Sequence, residues 1–541
     1  MPKSISTVLS VFLVTVLFMF SGCTETTTEI EKRVSEYAPT TITGDVDNLS
    51  QSDQVVLEKL VEASKIMHSI FITQACPDYS EIRNEIVSNE SDATLKYFEI
   101  NVGPWDRRYH FEPFYSERQH PEGANYYPQD LTEAEKDLIR DPSNGFDGLF
   151  TMIRRDEHGS LIAIPYSKFF AERLNSAAKL LNEAADLSNN DSLAAFLRSR
   201  AESFLTDDYY ESDMLWMDID STVEVTIGPY ETYEDGLFGY KAAFESFVTI
   251  VDPVESAKLS KYKNELPWFE SELPILDEYK NMNRGTESPI RVVDEVYTAG
   301  DTRTAVQTIA FNLPNDERVR EAKGSKKVLL RNVMNSKFEH ILTPIAAKLL
   351  VPDQAADIAA ESFFMHTLFH EMSHGLGPGI IEVDGRKTEV RFELKELYSA
   401  IEETKADAMG PWCIFKLQPK GHFPESIYRQ QAVTFLAGLF RSVRFGIAEA
   451  HGSANAIQFN YLLERKVISV EDGLFSIDVD AFPAALNELV AEILTIQAEG
   501  NYDAAKEFSD KYSVMPDCLA AGLAQLDGVP VDLLPEYRWA K

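Results

Sequence analysis

The chain has 541 residues, 44% of them apolar, which is enough to bury a large core divided among about two to four structural units. Its formal net charge of −36 excludes a nucleic-acid-binding protein, which needs a basic surface to release phosphate counterions. The same charge argues against electrostatic attraction to anionic lipids and indicates a soluble acidic surface.

A short apolar segment at the amino terminus departs from this acidic pattern. Lys3 precedes an apolar run at residues 8–20, which is too short to cross a bilayer as a helix but has the length of a signal-peptide core. The run ends in Phe-Ser-Gly-Cys, which resembles a bacterial lipobox. The resemblance implies a signal peptide over residues 1–22 and a lipid on Cys23. The alternative is an ordinary secretory signal followed by a chance cysteine.

Thr24, which follows the lipobox cysteine, bears on location. The absence of Asp at this position is similar to the sorting rule of outer-membrane lipoproteins. We therefore expect a lipid-anchored protein of the bacterial cell envelope, in the outer membrane and facing the periplasm.

The other cysteines are Cys76, Cys413 and Cys518. They are too few and too scattered to form a disulfide framework, and none has the CxxC spacing of a zinc cluster. An oxidising compartment would allow one disulfide among them, with the pairing left open.

The first part of the mature chain is predicted to be a tether followed by helices. Residues 23–54 are rich in Thr, Glu, Asp and Ser, which predicts a flexible tether between the lipid and the folded body. Apolar residues recur at helical spacing over residues 55–71 and again over residues 167–205. We therefore predict a mainly helical N-terminal region over residues 55–220.

The pattern becomes extended in the middle of the chain. Apolar and polar residues alternate from Val223, and residues 247–251 are mostly β-branched. Further extended candidates lie at residues 290–296 and 304–311. These runs predict a β-containing region over residues 221–339.

Helical patterns dominate the last region, residues 340–541. Two clusters of Gly and Pro, at residues 375–379 and 410–411, are predicted to end helices within it.

The strongest chemical signal is an HExxH motif, HEMSH, within a helical pattern at residues 361–374. One helical turn separates His370 from His374, so both imidazoles lie on one face and can reach one zinc ion. Glu371 lies beside them and can accept a proton from water activated by the metal. Apolar flanking residues favour a buried helix over a surface helix that carries two histidines by chance.

A catalytic zinc usually has three protein ligands, so the third must come from another element. The best candidate is a second helical stretch, residues 391–409, which carries Glu402 and Glu403. Adjacent carboxylates on a helix point about 100° apart, so only one of them can face the metal. Asp407 shares the face of Glu403 and is placed to accept an N–H from a ligating histidine. The alternative is a solvated acidic helix face.

These two motifs together resemble the dipeptidyl-peptidase III family of zinc peptidases, which carries HExxGH on one helix and EExxA(D/E) on the next. The resemblance implies that His370, His374 and Glu403 are the ligands of one zinc ion per chain and that Glu371 is the general base. The positions that match residues supporting the ligands in that family are Glu402 and Asp407.

The histidine spacing departs from the main branch of the family. That branch has one extra residue between its histidines, whereas here Gly375 follows a shorter HEMSH motif. The chain is similar to a divergent branch of bacterial proteins, with plant relatives, that has the shorter motif. This resemblance covers most of residues 101–465.

Three shorter segments also resemble the family. Residues 311–315 are similar to its NxPN segment and residues 231–235 to its ESYxD segment. In the third, Ala450-His451 begins a helical stretch, and this histidine resembles one in the family. The resemblance implies that the amino end of the substrate is held by Glu231, Asn312 and Asn315, and that the developing oxyanion is stabilised by Tyr233 and His451. A carboxylate with amide oxygens suits an ammonium group with three donors.

Each of these segments has a structural alternative. The asparagines can shape a proline turn, the histidine can be a satisfied structural residue, and the tyrosine can be a packing residue.

The sequence thus predicts an α+β, mostly helical fold with two lobes. A helical zinc-binding lobe and a mixed lobe containing β-structure would enclose the active site in a cleft. The predicted function is that of a zinc metallopeptidase, and the family resemblance implies that it releases dipeptides from the amino termini of peptides.

Two alternatives to this function stay open. One is a lipid-anchored zinc-binding protein without peptidase turnover, which Glu371 disfavours because binding needs no general base. The other is a zinc hydrolase of a non-peptide amide. The expected partners are a peptide substrate and, through the lipid on Cys23, a membrane. The oligomeric state and the physiological peptide stay open.

Overall fold

The computed structural model describes residues 28–282 and 289–539. The fold is α+β, with 55% of the structure in helices and several small sheets, as predicted. The helices are Glu29–Ser35, Gln51–Ala75, Tyr79–Asn89, Asp92–Asn101, Glu133–Arg140, Tyr166–Phe169, Ala171–Leu187, Asp191–Thr206, Tyr210–Met217, Pro253–Lys263, Leu266–Glu272, Glu317–Lys323, Arg331–Lys337, Thr343–Leu349, Pro352–Ala355, Ala360–Ser373, Val390–Leu394, Tyr398–Lys416, Ser426–Val443, Ala450–Glu464, Phe482–Glu499, Tyr502–Tyr512 and Asp517–Ala524.

The largest sheet, here called the central sheet, has five strands and belongs to the mixed lobe. Its strands in spatial order are Val223–Glu231, Ala243–Val251, Ile290–Gly300, Lys326–Leu330 and Ala310–Leu313. The first three run antiparallel, the fourth is parallel to the third, and the fifth is antiparallel to the fourth. Because Ala310–Leu313 is an edge strand, it has a neighbouring strand of the sheet on one side only.

The remaining sheets are two-stranded. Four are antiparallel hairpins: Trp105–Asp106 with Glu112–Pro113, Thr151–Arg155 with Leu161–Pro165, Ile380–Val383 with Arg386–Glu389, and Ile468–Glu471 with Leu474–Ile477. The fifth pairs Tyr37–Ile42 in parallel with Asp532–Tyr537, close to the two ends of the described chain.

One predicted extended run, residues 304–311, is mostly wrong. Only its end belongs to the strand Ala310–Leu313. The backbone at Gln307 is engaged elsewhere: its N–H donates to Asp532 Oδ2 at 3.3 Å, and its carbonyl accepts from Lys337 Nζ at 2.6 Å. These buried side chains replace the ladder partners that a longer strand would require.

The predicted flexible tether over residues 23–54 is wrong for the described residues 28–54. These residues form the helix Glu29–Ser35 and the strand Tyr37–Ile42. Tyr37, Ala38 and Ile42 are buried, because the strand pairs with a partner almost at the other end of the chain. The low apolar content gave no sign of this long-range pairing. Cys23 and the predicted signal peptide lie outside the described residues.

Two further features concern the membrane and the thiols. In the described part of the chain, no helix has both the length and the apolar character needed to cross a bilayer. The three described cysteines, Cys76, Cys413 and Cys518, are free thiols.

The helical lobe carries the two predicted motifs on neighbouring helices. We call Ala360–Ser373 the motif helix and Tyr398–Lys416 the acidic helix. The predicted break at residues 410–411 is wrong, because the acidic helix continues through Pro411 to Lys416. Residues 410–414 are buried, so packing offsets the backbone hydrogen bond that proline cannot make.

Candidate active site

The motif helix is held in place by its apolar residues. Phe363, Phe364, Leu368 and Phe369 are buried in the core, which fixes the rotation of the helix about its axis. The helix ends at Ser373, and the loop that follows contains Gly377, whose φ of +81° favours glycine. The HExxH residues therefore lie on the last turn of a rigid helix, as the sequence predicts.

The acidic helix packs closely against the motif helix. A Cβ atom added to Gly410 would lie 3.1 Å from the backbone oxygen of His366, so a larger side chain here would push the helices apart. This approach brings Glu402, Glu403 and Asp407 to the motif histidines.

Three atoms converge on one point between the two helices. His370 Nε2 lies 3.2 Å from His374 Nε2 and 3.4 Å from Glu403 Oε2, and the third side of this triangle is 3.9 Å. Ligand atoms around a tetrahedral zinc, at distances of 2.0–2.1 Å from it, lie about 3.3 Å from one another. The triangle therefore has the size of a zinc site, and Glu403 rather than Glu402 supplies its carboxylate.

The donor set also has the chemistry of a cation site. Glu403 Oε2 is buried and has no hydrogen-bond partner among the described residues. Burial opposes ionisation of Glu403, but attraction to His370 keeps its pKa below the ordinary value. A buried, ionised and unpartnered oxygen facing two imidazole nitrogens fits a divalent cation.

Both motif histidines are oriented from behind by a carboxylate. His370 Nδ1 lies 2.7 Å from Asp407 Oδ1, and His374 Nδ1 lies 3.0 Å from Glu402 Oε1. Each contact places the ring proton on Nδ1 and leaves the Nε2 lone pair free to bind a metal.

The supporting carboxylates are themselves fixed. Burial alone would raise the pKa of Glu402, but Lys405, 2.7 Å away, and His374 lower it to about 2. Burial likewise opposes ionisation of Asp407, yet the adjacent His370 keeps the pKa of Asp407 well below its usual value. Both carboxylates are therefore anionic hydrogen-bond acceptors.

A second group, His366, His370 and Asp407, also lies close enough to suggest a metal. Here the 2.7 Å separation of His370 Nδ1 and Asp407 Oδ1 is a hydrogen-bond distance, shorter than the separation of two ligands on one zinc. His366 Nε2 lies 3.6 Å from the same carboxylate oxygen. We therefore interpret this group as support for the His370 ring.

Glu371 and His451 lie beside the triangle. Both line a cavity of about 540 Å³ at the cleft, together with His370. His451 Nδ1 is 3.3 Å from Glu403 Oε2, although 66% of its side chain is exposed. An exposed imidazole in this position is accessible to a substrate, in contrast to a structural histidine buried in the core.

The predicted amino-end pocket is partly assembled. Asn315 Nδ2 donates to Glu231 Oε1 at 3.2 Å, and the Oδ1 of Asn312 is buried without a hydrogen-bond partner in the described structure. Burial raises the pKa of Glu231, which Asn315 only partly offsets. These acceptors lie at one end of the edge strand Ala310–Leu313 and can receive the donors of an ammonium group.

Tyr233 does not contact the triangle. Its side chain is 84% exposed at the cleft. Among the described residues, it forms no hydrogen bond with either predicted site.

Some residues of this site were not found from the sequence. His366 precedes His370 by four residues, and Lys405 follows Glu402 by three, so helical spacing could have indicated both. Asn455 Nδ2 donates to Asp407 Oδ2 at 2.9 Å from a third helix, Ala450–Glu464, and no local signal predicts this contact.

Comparison with known proteins agrees with this fold. Residues 151–410 match the family model described as Peptidase family M49. The structure of DPP III from Caldithrix abyssi has 48% sequence identity and a TM-score of 0.91, covering 93% of this chain and 98% of that chain. The structure of dipeptidyl-peptidase III from a Corallococcus strain has 39% identity and a TM-score of 0.83, covering 94% and 96%.

A plant relative matches over nearly the whole chain as well. Nudix hydrolase 3 of Arabidopsis thaliana is 37% identical, over 95% of this chain and 74% of that protein.

The two-lobed α+β fold and the family match define a peptidase. More particularly, the chain belongs to the dipeptidyl-peptidase III family, peptidase family M49.

Proposed function

We propose that the protein is a zinc-dependent dipeptidyl peptidase with one zinc ion per chain. The observation that carries the proposal is the triangle formed by His370 Nε2, His374 Nε2 and Glu403 Oε2, beside which Glu371 lines the cavity. A zinc ion held by these three atoms would polarise the scissile carbonyl and acidify a water molecule.

The side chains around the triangle then have different roles in catalysis. Glu371 accepts a proton from the attacking water and passes it to the leaving amine. His451 and Tyr233 donate hydrogen bonds to the oxyanion that develops on the scissile carbonyl. Asp407 and Glu402 keep the ligand imidazoles in the correct orientation.

The release of dipeptides follows from where the amino end of the peptide is held. Glu231, Asn312 and Asn315 offer a carboxylate and amide oxygens to the substrate's ammonium group. A peptide anchored there presents a fixed bond to the triangle, so cleavage is counted from the amino terminus.

The test combines metal analysis with hydrolysis of a dipeptidyl-naphthylamide. We expect stoichiometric zinc in the wild type and in Glu371→Gln, with kcat lowered by a factor of about 10²–10⁴ in the variant, the range for a general base. We expect His370→Ala to lose zinc.

The matched control is Glu361→Gln, the same change on the same helix at a side chain that is 56% exposed. It should keep both zinc and activity. Stoichiometric zinc without hydrolysis of any peptide would contradict the enzyme proposal, and unchanged zinc in His370→Ala would contradict the site.

We also propose, from the sequence alone, that Cys23 carries a lipid that anchors the protein in the bacterial envelope, at the outer membrane facing the periplasm. Detergent phase partitioning of the wild type and Cys23→Ser tests this. The wild type should enter the detergent phase and the variant should not; equal partitioning would contradict the anchor.

A further inference from the structure

Arg441 is a partly buried arginine without a counterion. It lies on the helix Ser426–Val443, and its side chain lines the same cavity as His370 and Glu371. Its Nε is buried without a hydrogen-bond partner, and the described residues form neither a hydrogen bond nor an ion pair with its guanidinium. The guanidinium lies 5.7 Å from the centre of the Phe363 ring.

Other buried arginines of the described chain have hydrogen-bond acceptors, which for Arg154, Arg173 and Arg444 are backbone carbonyls. Arg107 donates to both carboxylate oxygens of Glu234, at 2.6 and 3.0 Å, and Arg200 donates to Asp213 at 2.5 Å. Removing a charge from water without a partner is costly, so the contrast indicates that the partner of Arg441 is a ligand.

The acids nearest to Arg441 are already engaged. Asp532 is paired with the buried Lys337 at 2.9 Å, and Asp407 is held by His370 and Asn455. Asp407 and Asp532 attract Arg441 from a distance, but burial has the larger effect and lowers the pKa of Arg441. Arg441 is therefore a surplus positive charge on the cavity wall.

The cavity is separate from the amino-end pocket, because Glu231, Asn312 and Asn315 are not among the residues that line it. Its wall includes Ala310, the first residue of the edge strand, but not Asn312 at the end of the strand towards Glu231. At about 3.3 Å per residue, this strand spans roughly 13 Å. A peptide with its amino end at Glu231 and its scissile bond at the triangle places its leaving part in the cavity.

We propose that Arg441 binds a carboxylate on the leaving part of the peptide and thereby determines substrate specificity. A planar guanidinium offers paired donors that match a carboxylate, and a cavity wall protected from water strengthens that contact. The carboxylate is either the free C-terminus of a short peptide or an acidic side chain. The inference rests on the proposed peptidase function, because that function fixes the direction of the peptide.

Two pairs of tetrapeptides distinguish the sources of the carboxylate. The first pair is tetra-alanine as a free acid and as a C-terminal amide. The second pair is Ala-Ala-Glu-Ala-amide and Ala-Ala-Gln-Ala-amide. In at least one pair, we expect kcat/KM of the wild type to be roughly 10–100-fold higher for the charged peptide, the range for a hydrogen-bonded charge.

The variants identify the residue responsible. Arg441→Gln should lower the ratio of kcat/KM for the charged peptide to that for the neutral peptide to about 1. Arg441→Lys keeps the positive charge but loses the paired N–H donors of the guanidinium, so it should give an intermediate ratio. The lysine variant also keeps the test valid if the glutamine variant does not fold. The matched control is Arg429→Gln on the same helix, at an arginine paired with Asp357 outside the cavity; it should keep the wild-type ratio.

Calorimetric binding of the same peptides to zinc-loaded Glu371→Gln separates this proposal from the proposed function. If the wild type hydrolyses no peptide, the proposed function is wrong. The ratio of the binding constants of the charged and neutral peptides still tests whether Arg441 binds the carboxylate. The proposal is overturned if charged and neutral peptides bind equally, if the charged peptides do not bind, or if Arg441→Gln leaves the preferred ratio unchanged.

Discussion

The Nε2 atoms of His370 and His374 face each other at 3.2 Å. Each ring has its Nδ1 next to an ionised carboxylate, which places the ring proton there and directs two Nε2 lone pairs towards each other. Like partial charges at this distance repel unless a cation lies between them. This arrangement favours a cation between the two rings, either a proton or the proposed zinc ion.

The two adjacent glutamates of the acidic helix should differ in their effect on zinc. Glu403→Gln replaces a predicted ligand, whereas Glu402→Gln changes an acceptor already bonded to His374, Lys405 and Gln497. Loss of a supporting contact typically costs 10–100-fold in metal affinity, so we expect about that loss for Glu402→Gln and a larger loss for Glu403→Gln.

Competition with a chelator of known affinity measures both zinc constants. The two variants carry the same chemical change at neighbouring positions, so each serves as the control for the other. A larger loss for Glu402→Gln would contradict the assignment of the ligands.

Glu231 should control recognition of the substrate's amino end. In Glu231→Gln an ammonium group loses its ionic partner, and we expect kcat/KM for a peptide with a free amino terminus to fall by about 10–100-fold. The N-acetylated form of the same peptide should be a poor substrate of the wild type and should lose little more in the variant.

Steady-state kinetics with the free and the acetylated peptide measure this difference. The control is Glu321→Gln, the same change on the helix Glu317–Lys323 that follows the NxPN segment. Equal losses for both peptides in Glu231→Gln would exclude the proposed amino-end pocket.

The sequence predicted those parts of the site whose residues lie close together along the chain. The position of His370, Glu371 and His374 follows from helical spacing within one segment, so the sequence predicted their geometry correctly. The choice between Glu402 and Glu403 depends on how the acidic helix packs against the motif helix. The residues alone left that choice open, and only the family resemblance anticipated it.

Long-range contacts could not be predicted from the sequence. The strand Tyr37–Ile42 resembled a tether because its partner, Asp532–Tyr537, lies near the other end of the chain. Nothing in the sequence singled out Arg441, since only the tertiary structure shows that no acid among the described residues pairs with it. Both cases reflect pairing that depends on the fold rather than on periodicity.

Gly452 should be required for the position of His451. A Cβ atom on Gly452 would lie 1.8 Å from the backbone oxygen of Gly446, so Gly452→Ala must displace the loop before His451. We expect the free energy of unfolding to fall by about 1–3 kcal/mol, the usual cost of overpacking, and kcat to fall as well.

Urea unfolding and naphthylamide hydrolysis measure these two effects. For urea unfolding, the control is Gly438→Ala, where an added Cβ meets no atom within 4 Å on a neighbouring helix. This change should leave the stability unchanged or raise it by up to about 1 kcal/mol, because alanine favours helices. A stable and fully active Gly452→Ala variant would show that the loop accommodates the change without moving His451.

Glu295 should make the stability of the fold fall as the pH rises towards neutrality. This carboxyl is buried in the central sheet, where burial raises its pKa to about 7 despite a hydrogen bond of 2.5 Å from Tyr537. The native state holds a proton that the unfolded chain releases near pH 4.5. The resulting stabilisation is complete below that pH and is lost as the pH rises through about 7.

The shift corresponds to about 3 kcal/mol between acidic and alkaline conditions, at 1.36 kcal/mol per pKa unit. Glu295→Gln is uncharged at every pH, so it should be more stable than the wild type at pH 8 and not at pH 4.5. The matched control is Glu536→Gln, the same change at an exposed residue next to Tyr537. Urea unfolding at both pH values measures the difference. If the free energies of unfolding of the wild type and Glu295→Gln change equally with pH, the pKa of this carboxyl in the native state is close to its ordinary value.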